Sequence, residues 1–273
     1  MVRITGVERS LWAWLCLPSL LVLGFAFLYP LFASIWSSFT HEGRFTLAHY
    51  VRVYKLYSQD ILFTLGVSFT GLLLVLISGL PVCGYLRLRA FRSVEFLLKI
   101  PLFVPFVVVG HALRIFLSPH GTLNGLLLWA GLLEAQNLPS LSTSWVGLAI
   151  ALAWKHIGLA ALLFMGAFRS VEEAYLEAAQ NFGAGILRQT KDILIPMAAP
   201  SIAVACVLVF ASMLASFSIP LMMGKGSGPQ MIMIDVYYRF GQHGDYATAG
   251  ALGVVAYLMA SGAAFVYLRK IVQ

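Results

Sequence analysis

Six stretches of this chain are too long and too apolar to be elements of a water-soluble core. They run over approximately Leu11–Trp36, Ile61–Leu86, Phe96–Phe116, Trp145–Phe168, Ser201–Met222 and Ala247–Leu268. Each is near the roughly 20 residues that a helix needs to cross a bilayer. Hydrocarbon offers no partner to a backbone N–H or C=O, so a run of this kind has to be helical. Composition agrees. Of the 273 residues 60% are hydrophobic and only 11% are charged, with a mean hydropathy of +0.87, whereas a soluble domain carries about 25% charged residues. The expected fold class is an all-α, polytopic membrane protein of six transmembrane helices, forming one domain over residues 1–273. The first run is too long for a removed signal peptide and lacks a small-residue cleavage site, so it reads as a retained anchor.

Lys and Arg beside the runs set the orientation. With the N-terminus inside, the cytoplasmic segments hold Arg3, Arg9, Arg87, Arg89, Arg92, Lys99, Arg169, Arg188, Lys191, Arg269 and Lys270. The outer segments hold Arg44, Arg52, Lys55, Lys225 and Arg239. Eleven against five places both termini in the cytoplasm of a cell whose inner membrane holds the protein. The outer segments His41–Asp60 and Pro119–Ser144 are rich in turn formers, and the Leu and Trp residues of the second predict a short helix lying at the outer interface.

Several function classes are poorly supported by the residues present. The net charge of +7 forms no stripe, so it reads as lipid-facing topology and not as a nucleic-acid footprint. Cys16, Cys83 and Cys206 lie inside apolar runs with no metal-ligand spacing. None of the eleven carboxylates falls in the middle of a run, where ion-coupled carriers commonly hold one. His111 and His156 lie in runs, but no Gly-x-Ser-x-Gly or His-Glu-x-x-His accompanies them. The loop Gly-Lys-Gly-Ser-Gly-Pro-Gln from Gly224 to Gln230 has the wrong spacing for a phosphate loop. The chain therefore carries no catalytic site of its own, binds no cofactor, and draws its energy from elsewhere.

Between the fourth and fifth runs lies a mixed-charge segment, Glu172 to Pro200, that interrupts the apolar pattern. Ser170-Val171-Glu172-Glu173 fits a capping box, in which the serine hydroxyl and the glutamate satisfy exposed N–H groups reciprocally. A helix then runs through about Phe182, with Tyr175, Ala178, Ala179 and Phe182 on one face. Gly183 follows where the chain needs a left-handed residue, and a second short helix runs from about Ile186 to Leu194, ahead of Pro196.

Glu177-Ala178-Ala179, three residues, Gly183, nine residues, then Ile193-Leu194-Ile195-Pro196 closely resembles the EAA motif of permease subunits in binding-protein-dependent ABC importers. That motif reads Glu-Ala-Ala-x3-Gly-x9-Ile-x-Leu-Pro, and the one departure is Ile195 for Leu. The resemblance implies a type I importer permease fold whose core covers about residues 60–268, with a cytoplasmic coupling loop at 169–197. It implies that Glu177, Ala178, Ala179 and Gly183 dock on a cytoplasmic ATPase. Tyr175 and Phe182 join them by their place on the same helical face. It implies as partners two copies of that ATPase, which use ATP and Mg, a second and different permease subunit, and an extracytoplasmic substrate-binding protein.

Two further stretches, Arg114 to Leu133 and Ala215 to Gly224, look like the spermidine/putrescine permease group, which makes a polyamine the expected cargo. Ferric iron, thiamine or a sugar is the alternative within the same importer class, and an ATP-independent carrier the alternative outside it. Lys155, His111, Arg114, Phe217, Ser218 and Met222 are candidates for the translocation path. Each has a second reading as a packing residue, and a mid-span lysine in particular needs a partner or a watery cavity.

Overall fold

The computed structural model describes residues 15–41, 43–224 and 228–271. Among these the chain is helical, with one two-residue hairpin of β1 (Thr40–His41) against β2 (Arg44–Phe45). Helix α1 is Leu15–Ser38 and helix α2 is Ala48–Leu88. Helices α3 (Arg92–Phe103) and α4 (Phe106–Phe116) follow, then the short α5 (Thr122–Trp129) and the long α6 (Trp145–Arg169). The interrupting segment forms α7 (Glu173–Asn181) and α8 (Ile186–Met197). The chain ends with α9 (Ala199–Leu214), α10 (Ser218–Met223), α11 (Ile232–Tyr237) and α12 (Tyr246–Ile271). Residues 11–14 of the first expected run, with Arg3, Arg9 and Lys225, lie outside the described residues.

Contacts divide the chain into two units, one within residues 1–57 and 236–255, the other within 58–235 and 256–273. In the first unit α1 contains a widened turn over Leu23–Leu28, where the N–H of Tyr29 bonds Gly24. Pro30 follows, without an N–H to continue the regular ladder. Asp245 precedes α12 and accepts the Thr248 N–H at 3.1 Å. Burial acts to raise its carboxyl, but the Thr248 bonds and the charges of Arg52 and Arg239 hold it below the usual carboxylate range.

In the second unit α6 is the central element, with 14 of its 25 residues buried. Helices α3, α4, α9 and α10 all pack on it. Leu152, Phe164 and Phe168 of α6 are fully buried, as are Val209 and Met213 of α9. Trp145, Trp154 and Leu162 of α6 remain exposed.

The expectation of six unbroken spans needs correction. Among the described residues three helices, α1, α2 and α6, are long and apolar enough to cross a membrane, and up to five segments qualify if each bent pair counts as one span. The run Phe96–Phe116 is not one helix: α3 and α4 meet at 104°. Their 12 and 11 residues reach only about 18 and 16 Å at 1.5 Å per residue. Pro105 causes the break. It has no N–H to give the carbonyl of Pro101 four residues earlier, and its ring drives Val104 to extended backbone, φ −81° and ψ 124°.

The freed carbonyls find a substitute donor in α6. The Lys155 ammonium donates to Pro101 O at 2.6 Å, to Val104 O at 2.6 Å and to Leu102 O at 3.5 Å. It also sits 4.5 Å from the centre of the Phe106 ring. The side chain is buried, and its charge meets the negative end of the α3 dipole.

The run Ser201–Met222 is interrupted as well. Helix α9 stops at Leu214, α10 begins at Ser218, and α8 meets α9 at 80°. Pro220 falls in the first turn of α10, where a missing N–H costs nothing. The outer segment expected to be rich in turns, His41–Asp60, instead feeds α2 from Ala48 onward, which makes that helix 41 residues long. The short helix expected in Pro119–Ser144 forms as α5, with Leu126 and Trp129 exposed.

Lys155→Met removes the donor while keeping the side chain's bulk. It should lower stability by about 2–4 kcal/mol, the cost of leaving buried carbonyls without partners. Unfolding of the detergent-solubilised protein should report that loss, with a smaller one for Lys155→Arg.

Candidate functional site

The segment between α6 and α9 has a fastened rear and an open front. Helix α6 ends at Arg169, and the Ser170 hydroxyl turns back to Ala167 O at 2.7 Å. The expected capping box therefore does not form. Glu172 stands at the N-cap without a side-chain cap bond, and Glu173 is drawn instead to Arg87 of α2 at 2.6 Å. A guanidinium–carboxylate pair is stronger than the neutral cap it displaces.

Arg87 holds three points together. Its Nε donates to Phe168 O at 3.2 Å, and its terminal nitrogen donates to Val171 O at 3.5 Å and to Glu173. One side chain thus caps the end of α6 and anchors the start of α7. Behind α7, Leu176 and Val171 are buried in the core, and Leu194 of α8 is fully buried. Arg169 adds a second tie by donating to both Glu95 oxygens at 2.9 and 3.1 Å, and Lys99 holds the same carboxylate at 2.7 Å.

The front carries the residues singled out by the motif. Glu177, Ala178 and Gly183 are exposed, and Ala179 is half-buried. Tyr175 is exposed, Phe182 is 91% exposed, and Leu187 of α8 is 75% exposed. The face is therefore a ledge of small residues between protruding apolar ones. Gly183 has φ +78°. The Ala184 N–H bonds Ala179 O and the Gly183 N–H bonds Gln180 O, both at 2.9 Å, which is a Schellman ending that favours glycine. A Cβ there would meet nothing within 4 Å, so backbone conformation is the requirement, not space.

Five of the six path candidates gather around α4 and α10. The two helices touch at Gly110, where a Cβ would lie 2.8 Å from Met222 Cβ and 3.0 Å from Ile219 Cα. His111 is exposed, and Arg114 donates to Met222 O at 3.4 Å. Phe217 caps the N-terminus of α10 and Ser218 begins it; both are half-buried, as is Met222. Lys155 stands apart, against Phe106 at the opposite end of α4, with its ammonium on the α3 carbonyls.

Sequence reasoning assigned no role to two residues that bind the bundle. Arg87 entered only the topology count, although its place at the end of an apolar run was a visible signal. His156 bonds Leu152 O through Nδ1 at 2.8 Å and Ser212 Oγ through Nε2 at 3.0 Å. A carbonyl can only accept, so Nδ1 carries the proton. A cavity of about 450 Å³ near the start of α6, lined in part by Ser140, Ser142, Thr143 and Gln230, also went unnoticed. Among the described residues no cluster of His, Cys, Asp and Glu could hold a metal.

The helical bundle thus has broken spans and a fastened, exposed loop between two of them. The chain belongs to the family of binding-protein-dependent transport system inner membrane components, which it matches over residues 6–273. It is a non-catalytic, multi-pass inner-membrane permease subunit of the ABC-importer class. It is 28% identical over 212 residues to the spermidine/putrescine transport system permease protein PotB of Escherichia coli K12, covering 76% of this chain and 74% of that protein. It is 24% identical to the trehalose/maltose transport system permease protein MalF of Thermococcus litoralis, covering 96% and 94%. A chain of the bacterial alginate ABC transporter, crystallised with an alginate pentasaccharide-bound periplasmic protein, has the same fold. Its TM-score is 0.76 at 22% identity, over 96% of this chain and 94% of that one.

Arg87→Met should release the start of α7 while leaving the front of the ledge unchanged. Amide hydrogen exchange across residues 171–177 should rise by about ten- to a hundredfold, as expected when a charge-assisted bond of about 1.5–3 kcal/mol is lost.

Proposed function

We propose that this chain forms half of the translocation pore of an ATP-driven importer and receives its power stroke through the α7–α8 ledge. The ledge itself is the observation that carries this reading. A segment fastened behind by Arg87, Leu176 and Leu194, with Phe182 and Leu187 exposed in front, is shaped to take a load from a soluble partner and pass it to α2, α6 and α9. Two copies of a cytoplasmic ATPase, using ATP and Mg, are the partners that fit it. Ala178 and Ala179 allow close approach, Glu177 offers a charge-assisted hydrogen bond, Gly183 makes the turn, and Tyr175 and Phe182 flank the contact.

The pore is completed by a second, related permease chain, and cargo arrives from an extracytoplasmic binding protein. In this reading residues 1–273 form one permease domain that crosses the membrane six times. The bent pair α3–α4 counts as one crossing and α9 with α10 as another, and both termini face the cytoplasm. His111, Arg114, Phe217, Ser218 and Met222 flank the path. Lys155 acts as a bundle residue holding α4 in place.

The cargo is a small solute chosen outside this chain. PotB and MalF are named for polyamines and for disaccharides, yet this chain is comparably similar to both. Identity at that level supports the importer class more strongly than any one cargo. Polyamine remains the first to try, with sugars, ferric iron and thiamine next.

ATP-dependent uptake in proteoliposomes holding the assembled complex tests the reading directly. Uptake should require ATP inside and binding protein outside, and uptake without ATP would identify a carrier instead. Ala179→Trp should reduce transport-coupled ATP hydrolysis at least tenfold with the subunit still inserted. Gly183→Ala, strained by about 1–2 kcal/mol at positive φ, should weaken ATPase co-purification less than Ala179→Trp does.

A further inference from the structure

A cleft of about 260 Å³ lies between the ends of α2 and α6 and the start of α3, and the transport reading makes no use of it. Three guanidiniums line it, those of Arg87, Arg92 and Arg169, against one carboxylate, Glu95. That carboxylate is already held by Lys99 and Arg169, and Arg87 is paired with Glu173. Four cations against two carboxylates leave the cleft with an excess of two positive charges. Arg92 is exposed and, among the described residues, pairs with no carboxylate.

We propose that this cleft binds the phosphate headgroup of an anionic phospholipid. Planar guanidiniums match phosphate oxygens in pairs, and basic pockets between membrane helices bind such headgroups. The depth is right, because α2 ends at Leu88 and α6 at Arg169, both helices long and apolar enough to cross a membrane. The lining favours a lipid over a soluble anion. Leu86 and Met165 form a buried apolar floor. From the cleft, α3 carries an exposed apolar stripe of Phe96, Leu97, Ile100 and Phe103 on which an acyl chain can lie. The inference rests on the membrane placement of α2 and α6, and it stands or falls independently of cargo and ATPase docking.

The test is native mass spectrometry of the intact importer complex, extracted in neutral detergent and supplied with equal amounts of phosphatidylglycerol and phosphatidylcholine. One phosphatidylglycerol should remain per copy of this chain, in preference to phosphatidylcholine. Arg92→Gln should lower its retention about fivefold, the equivalent of the ~1 kcal/mol that one basic side chain contributes at an anionic surface. Arg92→Lys, which keeps the charge but not the planar fork, should retain an intermediate amount, and Arg44→Gln, on the hairpin, should change nothing. Equal retention of the two lipids, or no effect of Arg92→Gln, would overturn the proposal. Displacement of the lipid by millimolar inorganic phosphate would also overturn it, because the site would then take a soluble anion. So would a disulfide from Leu97→Cys to the companion permease, which would make the stripe a subunit contact. Continued co-purification of an ATPase in any of these cases would leave the importer reading intact.

Discussion

One buried ammonium makes this architecture possible. A membrane helix can stop in mid-bilayer only where its freed carbonyls meet another donor, since lipid supplies none. Pro105 denies that donor to Pro101, and Lys155 provides it from the neighbouring helix. The 104° turn between α3 and α4 follows, and with it the contact of α4 on α10 at Gly110. His156, one residue further along α6, ties the other side of that helix to Ser212 of α9. A Lys-His pair on one buried helix thus secures both broken segments beside it. The cost of burying a cation is offset by three carbonyls, a helix dipole and an aromatic face, with no carboxylate needed.

The same economy governs the loop that leaves α6. Its rear is held by Arg87, which satisfies backbone carbonyls at the end of one helix and a carboxylate at the start of the next. Its far end is held by the burial of Leu194. A loop fastened at both ends can carry force, whereas one lying free on the headgroups would dissipate it. In the proposed reading, the exposure of Phe182 beside such a fixed frame serves docking.

Much of this was legible in the residues, and the misses have physical causes. Helix α6 was readable from the length of its apolar run, and the loop that follows it from the spacing of the Ala pair and the glycine at the turn. The Schellman ending at Gly183 needed only local backbone rules. Reading Ser170 and Glu173 as a capping box failed because a local rule met a stronger tertiary partner, Arg87, from more than eighty positions away. The run Phe96–Phe116 seemed continuous because hydropathy averages over Pro101 and Pro105 without noticing that the carbonyl of one needs the N–H of the other. Those two prolines and the unpaired Lys155 together were the available signal. The extension of α2 to Ala48 was hidden by polar residues that a helix outside the hydrocarbon tolerates.

Force from an ATPase should reach the spans through the α7–α8 ledge. The most direct measurement is site-specific cross-linking from Phe182→Cys to the co-purified ATPase, in the membrane, with and without nucleotide. A strong cross-link that persists through the ATP cycle, and is lost in Ala179→Trp, is the predicted result. A ledge that labels freely with a water-soluble thiol reagent while the assembled complex turns over ATP and imports cargo would contradict it.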